Sequence, residues 1–263
     1  MRKFIAVALA TSLLAACGSE AETAVEAPAY SATQYNAAIN DIARPPEDRE
    51  ADATRQPGEL LAFAQIDRGD VVGDFIMGGG YLTRLLAMAV GANGKVYAFQ
   101  PDEFIAFRPE YADEQDAAVA PYADDQGNPV RVFPINGSVS APPFPEPLDA
   151  IITVMNMHDL YLTDFPEGTA ATSLKALYEA LKPGGTLVVV DHRAVEGGGT
   201  QAANTVHRMD YERALADLQA AGFVLEDETD LYSRPDDPRT ANVFEDSIRG
   251  QTDQFALRLR KPA

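Results

Sequence analysis

Short runs of apolar residues alternate along most of the chain with segments in which apolar residues recur every three or four positions. The first pattern is typical of strands buried on both faces, and the second of amphipathic helices that cover a sheet. Their alternation predicts βα units on a mostly parallel sheet, in one α/β domain. The predicted strands are residues 70–76, 95–100, 130–135, 149–155, 185–191, 223–230 and 254–260.

Four helices are predicted between these strands, at 81–90, 104–118, 170–181 and 211–221, after short helical pieces that form an N-terminal extension. The last helix has the clearest ends. Asp210 is a good N-cap, and Gly222 suits the left-handed residue that ends a helix.

Two segments, 193–209 and 232–253, show no periodicity and are expected to be irregular. The first contains Gly197, Gly198 and Gly199, which predict a mobile lid.

The first 17 residues have the layout of a secretory signal. Arg2 and Lys3 precede an apolar run, and small residues lead into Cys17. The run 4–16 is shorter than the roughly 20 apolar residues of a membrane-spanning helix. Residues 1–17 are therefore expected to form a signal peptide, whose apolar run is cleaved off.

The string LLAAC also resembles the lipobox of bacterial lipoproteins, which implies that Cys17 receives a lipid and anchors the chain to a membrane. Gly18 resembles the residue found in lipoproteins sent to the outer membrane of a Gram-negative-type envelope, facing the periplasm. Residues 18–30, rich in Ala, Glu and Ser, are predicted to be a flexible tether. Residues 31–263 then form the single domain.

The chain is strongly acidic, with a formal net charge of −19. Proteins bind nucleic acids chiefly through clustered Lys and Arg, so no nucleic-acid partner is expected. Cys17 is the only cysteine, so the chain cannot form an internal disulfide. The sequence does not indicate an oligomeric state.

A glycine-rich turn follows the first predicted strand, in the string VVGDFIMGGGYLTRLLA. Gly78, Gly79 and Gly80 would let a ligand approach the backbone, and the next helix offers free N–H groups at its start. A nucleotide-type ligand is therefore expected. A nicotinamide dinucleotide fits less well, because Thr83 takes the third glycine position of GxGxxG, where helix packing needs a small residue.

The sequence resembles the class I S-adenosylmethionine-dependent methyltransferases in two places. Their DxGxGxG motif is matched by Asp74, Gly78 and Gly80, with Ile76 in place of the first glycine. Their LKPGG turn into the fifth strand is matched at 181–185, where the proline would stop a helix and the glycines would allow a tight reversal. The resemblance covers nearly the whole domain, and extends to a bacterial group of predicted exported methyltransferases with GGGYxT loops.

This resemblance implies a Rossmann-like, doubly wound sheet of seven strands whose last strand is antiparallel, and S-adenosylmethionine as cofactor. Gln100 stands where the family usually has an acid for the ribose hydroxyls. A carboxamide can also hydrogen-bond a hydroxyl, but without charge assistance. The implied cofactor-binding residues are Asp74, Gly78, Gly79, Gly80, Gln100 and Asn156.

Polar residues also follow the fourth and fifth predicted strands, at the edge where parallel sheets bind ligands. The resemblance places the methyl-transfer pocket there. His158 and His192 are the candidate general bases, since imidazole titrates near neutrality. The predicted catalytic residues are His158, Asp159 and His192, and the predicted acceptor-binding residues are Tyr161 and Asp191.

Other interpretations of these residues stay open. His158 and Asp159 could instead cap the next helix. Carboxylates and imidazoles here could bind a divalent cation, but neighbouring residues at a strand end point in opposite directions, so no metal ligand is assigned. His207 is expected at the surface or at a helix start.

Four arginines, Arg44, Arg49, Arg193 and Arg234, could recognise an anionic acceptor, although solvated or salt-bridged surface positions are expected for them.

The expected function is S-adenosylmethionine-dependent methyl transfer to a small-molecule acceptor, with proximity supplying most of the rate. Two alternatives remain. One is a methyltransferase-fold lipoprotein that has lost catalysis and acts as a ligand-binding module, and the other is a nicotinamide-dependent oxidoreductase. An envelope location conflicts with a cofactor made in the cytosol, unless the cofactor is exported or the precursor acts before export.

Overall fold

A computed structural model of the protein describes residues 30–263. The predicted signal peptide, the lipidation site Cys17 and all of the predicted tether except Tyr30 lie outside the described residues. Tyr30 donates a hydrogen bond of 2.7 Å from its hydroxyl to Asp67, which fixes the start of the described chain on the domain. In this part of the chain, no helix is long and apolar enough to cross a membrane.

All seven predicted strands are present, each within a few residues of its predicted ends. They are β1 Val71–Phe75, β2 Lys95–Pro101, β3 Val132–Gly137, β4 Leu148–Val154, β5 Leu181–His192, β6 Val224–Thr229 and β7 Gln254–Arg260. They form one sheet in the order β3-β2-β1-β4-β5-β7-β6. Strand β7 runs antiparallel between β5 and β6, and the other pairs are parallel. The expected doubly wound, Rossmann-like architecture is confirmed.

The helices of the described residues are α1 Asn36–Ile39, α2 Pro46–Arg55, α3 Pro57–Ala64, α4 Tyr81–Ala89, α5 Asp102–Phe107, α6 Glu110–Val119, α7 Thr169–Ala180, α8 Gln201–Val206 and α9 Tyr211–Ala221. Helix α9 has the predicted ends: the Asp210 carboxylate accepts from the backbone N–H of Arg213, and Gly222 has φ 112°.

Two predictions of helix position differ from the structure. The predicted helix 104–118 is two helices, because Pro109 disfavours a helical conformation at Arg108, which is extended with φ −137° and ψ 96°. The segment 193–209, expected to be irregular, contains the short helix α8.

Helices cover both faces of the sheet, and the apolar core therefore has two layers. Strand β5 shows this alternation directly. Val188 and Val190 pack in the layer that includes α3 and α4, whereas Leu187 and Val189 pack in the layer that includes α7 and α9. All four are fully buried, as expected for a strand covered on both faces.

Strands β1 and β4 are neighbours although β2 and β3 come between them in sequence, so the strand order reverses between them. Ligands of open α/β sheets bind beyond the carboxyl ends of the strands at such a point. The residues that leave the two strands, Ile76 with φ 62° and Met155 with φ 61°, are both left-handed. This conformation costs a residue other than glycine about 1–3 kcal/mol, and it explains a glycine preference at the position of Ile76.

Candidate active site

The glycine turn lies at the end of β1, and its glycines have different roles. Gly78 has φ 54°, and a Cβ added there would meet no atom within 4 Å. A Cβ at Gly79 would meet only a Glu114 carboxylate oxygen, at 3.7 Å. At Gly80, with φ 79°, an added Cβ would overlap the Cβ of Ala118. Gly78 and Gly79 therefore leave space for a ligand, whereas Gly80 is required for packing.

Gln100, at the end of β2, is fully buried and is joined to this turn. Its Oε1 accepts the backbone N–H of Gly78 at 3.1 Å. Its Nε2 is buried and has no hydrogen-bond partner in residues 30–263. An unpaired buried amide donor costs about 1–3 kcal/mol, so Gln100 offers an unused donor beside the turn.

Asp74, at the end of β1, is 3% exposed and serves the turn from inside the protein. Its carboxylate accepts a 2.5 Å hydrogen bond from the hydroxyl of Thr83, in the first turn of α4. Burial raises the pKa of Asp74 to about 6, although the hydrogen bonds from Thr83 and the charge of Arg84 oppose this shift. Asp74 and Thr83 thus hold the turn against its helix.

Asn156 joins the carboxyl ends of β1 and β4. Its side-chain amide donates to the carbonyl oxygens of Ile76, at 2.9 Å, and of Val154, at 2.8 Å. The expected contact of Asn156 with a cofactor would therefore have to use its remaining oxygen, because the amide nitrogen is engaged.

His158 begins a 3-10 turn, His158–Tyr161, instead of capping an α-helix. The carboxylate of Asp191 accepts the backbone N–H of His158 at 2.7 Å and lies 2.8 Å from its ring Nδ1. Asp191 was expected to bind the acceptor. It is fully buried, so its carboxylate fixes the orientation of His158 and does not face an acceptor.

The two expected bases, His158 and His192, differ in charge at neutral pH. Burial lowers the pKa of His158, but the charge and hydrogen bond of Asp191 and the charge of Asp159 outweigh it and raise that pKa to about 9. Burial lowers the pKa of His192 to about 4. Burial also raises the pKa of Asp159 to about 6. His158 is therefore protonated and His192 neutral, so only His192 is free to accept a proton.

The third histidine joins the other two. His207 ends helix α8 with φ 52° and is partly buried, so it stands at the end of a helix and not at a helix start. Its ring centroid lies 5.6 Å from that of His158 and 4.9 Å from that of Phe244, and the His158 and His192 centroids are 5.9 Å apart. The chain after β5 turns back here, since Met209 N–H donates to His192 O at 2.7 Å. This return brings the three histidines of the chain together.

A cavity of about 370 Å³ opens beside the glycine turn, within the size range of small-molecule sites. It lies between α2, the start of α4, the ends of β4 and β5, and the irregular segment 232–253. Of the predicted catalytic residues, only His192 lines it. Its wall includes Arg55, Tyr81, His192, Phe244 and Arg249.

Two expectations about this cavity are corrected by the structure. Tyr161 lies outside it, because its hydroxyl donates to Asp217 on α9 at 2.7 Å. Gly197, Gly198 and Gly199 do not line it either, and the Gly199 N–H is bound to Asp210 at 3.1 Å. The segment 232–253 covers the cavity in place of the predicted glycine lid.

The cavity is not lined by any of the four arginines proposed for an anionic acceptor, Arg44, Arg49, Arg193 and Arg234. Arg44 was expected at the surface, yet it is 1% exposed and pairs with Asp52 at 2.5 Å. Arg84, on α4, pairs with Asp48 of α2 at 2.7 Å and donates to Gly79 O at 3.0 Å. These ion pairs attach the N-terminal helices to the glycine turn.

The other three arginines, Arg49, Arg193 and Arg234, are partly or fully solvent-exposed. The guanidinium of Arg193 lies 3.6 Å from the carboxylate of Asp253. The arginines that do reach the cavity are Arg55 and Arg249, which the sequence patterns did not single out because they lie in a polar helix and an irregular loop.

The sheet order and the glycine turn after β1 agree with the fold of the class I S-adenosylmethionine-dependent methyltransferases, which the sequence resemblance implied. No known protein-family model and no curated protein sequence matches the chain. Solved structures with this fold do match. An S-adenosylmethionine-dependent methyltransferase from Aquifex aeolicus is 16% identical with a TM-score of 0.52, and the match covers 85% of this chain and 96% of that one.

Two further structures show how widely the fold is used. An arsenic(III) S-adenosylmethionine methyltransferase from Chlamydomonas reinhardtii is 15% identical, with a TM-score of 0.55 over 88% of this chain and 73% of that one. The [4+2]-cyclase SpnF is 19% identical, with a TM-score of 0.55 over 80% of this chain and 81% of that one. One fold thus carries different reactions, and the site must decide the chemistry.

Proposed function

We propose that this chain is an S-adenosylmethionine-dependent methyltransferase whose acceptor is a small molecule. The observation that carries the proposal is the open glycine turn with the unused buried donor of Gln100 beside it. Both lie at the carboxyl ends of β1 and β2, next to the reversal of strand order where ligands of this architecture bind.

Each part of the turn would hold a different part of the cofactor site. Gly78 and Gly79 let the ligand approach the backbone, and Gln100 Nε2 would donate to a hydroxyl group. Asp74 and Asn156 position the strand ends from behind. When bound, S-adenosylmethionine would supply an activated methyl group, so the protein has mainly to align the reactants and exclude water.

The cavity supports a small acceptor. Its volume of about 370 Å³ suits a small organic molecule, and α2 and the segment 232–253 close it on two sides. Arg55 and Arg249 on its wall would favour an acceptor with an acidic group.

His192 is the candidate base within this cavity. Its Nδ1 lies 2.7 Å from the hydroxyl of Thr252, which fixes the ring. Burial keeps the imidazole neutral at pH 7, so it is available to accept a proton from an acceptor. This assignment moves the base from His158, which is protonated, to His192.

Calorimetric titration with S-adenosylmethionine and S-adenosylhomocysteine tests the proposal. We expect both to bind, and to raise the thermal midpoint, because a ligand that binds the folded state stabilises it. Absence of binding at millimolar concentrations would refute the methyltransferase proposal. Binding of a nicotinamide dinucleotide in its place would favour an oxidoreductase.

A matched pair of glycine variants locates the binding site. Gly78 and Gly127 both have positive φ, 54° and 82°, and at both an added Cβ would meet no atom within 4 Å. Gly78→Ala and Gly127→Ala should therefore lose similar stability, about 1 kcal/mol. Only Gly78→Ala should weaken S-adenosylhomocysteine binding, by at least about tenfold. Equal affinities in the two variants would place the ligand elsewhere.

We also propose that the protein is a lipoprotein of a Gram-negative-type bacterial envelope, anchored through Cys17. The basic start at Arg2 and Lys3, the short apolar run and the LLAAC string support this. A methyltransferase there would need an exported cofactor, or would act before export.

A further inference from the structure

We propose that His158, Asp159 and His207 form a binding site for a divalent transition-metal ion such as Zn²⁺. One ligand atom from each residue lies within 4.8 Å of the others. Nε2 of His158 and Oδ1 of Asp159 are 3.3 Å apart. Ligand atoms about 2.0–2.1 Å from a tetrahedral zinc ion are separated by roughly 3.3–3.4 Å, so this pair already has the spacing of a coordination shell.

Asp191 prepares His158 for this role. Its carboxylate engages Nδ1 of the ring at 2.8 Å and the backbone N–H at 2.7 Å, so the ring orientation is fixed and Nε2 is left toward Asp159. A metal-bound histidine typically donates its other ring N–H to a carboxylate in this way. The buried carboxylate of Asp191 would thus orient a metal ligand, His158, and not bind an acceptor.

His207 completes the set from a different part of the chain. Its ring lies edge-on to that of His158, and the other side of His207 packs against Phe244. Both Asp159 and His207 are only partly buried, so an ion from solvent can reach their ligand atoms. The ligands thus come from the turn after β4 and from the end of α8.

The charges of the cluster also favour a cation. Two carboxylates, Asp159 and Asp191, face the one ring of His158, at 3.3 and 2.8 Å. In the metal-free protein the protonated ring of His158, 3% exposed, balances this negative charge. A divalent ion bound between Asp159 and the two imidazoles would release the Nε2 proton of His158 to solvent and supply the balancing positive charge in its place.

The donor set selects the class of metal. Two imidazole nitrogens and one carboxylate suit zinc, copper, nickel, cobalt or iron(II), whereas Mg²⁺ and Ca²⁺ prefer oxygen ligands. Three protein ligands leave a fourth position for water or for an acceptor atom. The site adjoins the cavity wall, because Phe244 and His192 line the cavity and contact the cluster.

Metal titration of the full-length chain tests this inference. A Cys17→Ser background removes the only thiol, and a chelator removes any bound metal first. We expect one Co²⁺ per chain, with the intense visible absorption of a site of low coordination number, and Zn²⁺ should displace it. Zn²⁺ affinity is then measured by competition with a chromophoric chelator.

Variants separate ligands from neighbours. Asp159→Asn and His207→Ala should each lower Zn²⁺ affinity at least 100-fold, and Asp191→Asn should lower it 10–100-fold through the orientation of His158. His192→Ala is the matched control, since His192 lies beside His158 but outside the ligand set, and it should keep wild-type affinity. Circular dichroism confirms folding, and Asp159→Asn preserves the shape of a partly exposed side chain.

Two results would overturn the inference: Zn²⁺ binding no tighter than millimolar in the wild-type background, or equal losses in His192→Ala and His207→Ala. These measurements use no cofactor. The metal site and the methyltransferase proposal can therefore fail independently of each other.

Discussion

Asp74 matches a cofactor-binding motif in the sequence, but its side chain supports the glycine turn from inside the protein. Its carboxylate is buried against Thr83, where it ties β1 to α4. Thr83 argued against a dinucleotide fingerprint in the sequence, and the structure gives it a purpose as the partner of Asp74. The cost of this arrangement is a carboxylate in a dry site, with a pKa raised to about 6.

That pKa predicts a pH dependence of stability. The folded-state value of about 6 lies above the unfolded value of 3.8, so the folded state binds the proton more tightly. The favourable contribution is fully present below pH 3.8 and is lost as the pH rises through about 6. Two pKa units correspond to about 3 kcal/mol.

Asp74→Asn should remove this dependence. The free energy of unfolding of Asp74→Asn, relative to the wild type, should rise by up to about 3 kcal/mol between about pH 4 and pH 7. Urea denaturation of both proteins across that range measures the difference. A difference that stays flat with pH would show that Asp74 titrates normally.

At the scale of elements, one buried arginine ties the segment 232–253 to the chain that follows β5. The Arg208 guanidinium, 0% exposed, pairs with Asp237 at 2.7 Å and donates to Ala241 O at 3.0 Å. It also donates to Arg193 O at 3.1 Å, next to the end of β5. Asp237 in turn accepts the backbone N–H of Asp253. This network fixes a long irregular loop as the wall of the cavity.

Arg208→Met should therefore destabilise the protein by about 3–5 kcal/mol, because it leaves the Asp237 carboxylate buried without its partner. Urea denaturation measures the loss. The control is Lys175→Met, which removes an exposed Lys175–Glu179 pair at 3.6 Å and should change stability by less than about 0.5 kcal/mol. A loss at Arg208 as small as the control would mean that the loop is held by other contacts.

At the scale of the whole molecule, the chain combines a strongly acidic composition with the N-terminal string LLAAC, on which the proposed lipid anchor rests. The chain has a formal net charge of −19, and charge of this sign opposes association with nucleic acids and with anionic membrane surfaces. Membrane attachment would thus depend on the lipid at Cys17 and not on the protein surface.

Cys17→Ser should accordingly move the protein from the membrane fraction to the soluble fraction and abolish incorporation of labelled fatty acid. The matched control is Ser19→Ala, which changes a nearby residue and keeps the cysteine, and it should stay in the membrane fraction. A soluble wild-type protein without labelled lipid would contradict the anchoring proposal.

The sequence predicted most of the fold because local signals agreed with it. Strand β7 has its predicted ends, and α9 is bounded by the predicted Asp210 and Gly222. The break between α5 and α6 was not predicted, although Pro109 causes it, because the surrounding stretch is only weakly amphipathic. The glycine turn could be found because its three glycines are consecutive in the sequence and directly follow a strand pattern.

The sequence by itself determined the alternation of strands and helices, their order and the glycine turn, because these depend on residues close to one another in the chain. Only the tertiary structure decided which side chains meet. It turned Asp191 toward His158, brought His207 back to the ring of His158 from 49 positions further along the chain, and made an irregular loop the wall of the cavity. Such contacts depend on the path of the chain after β5 and after β6, which no local pattern of apolar residues records.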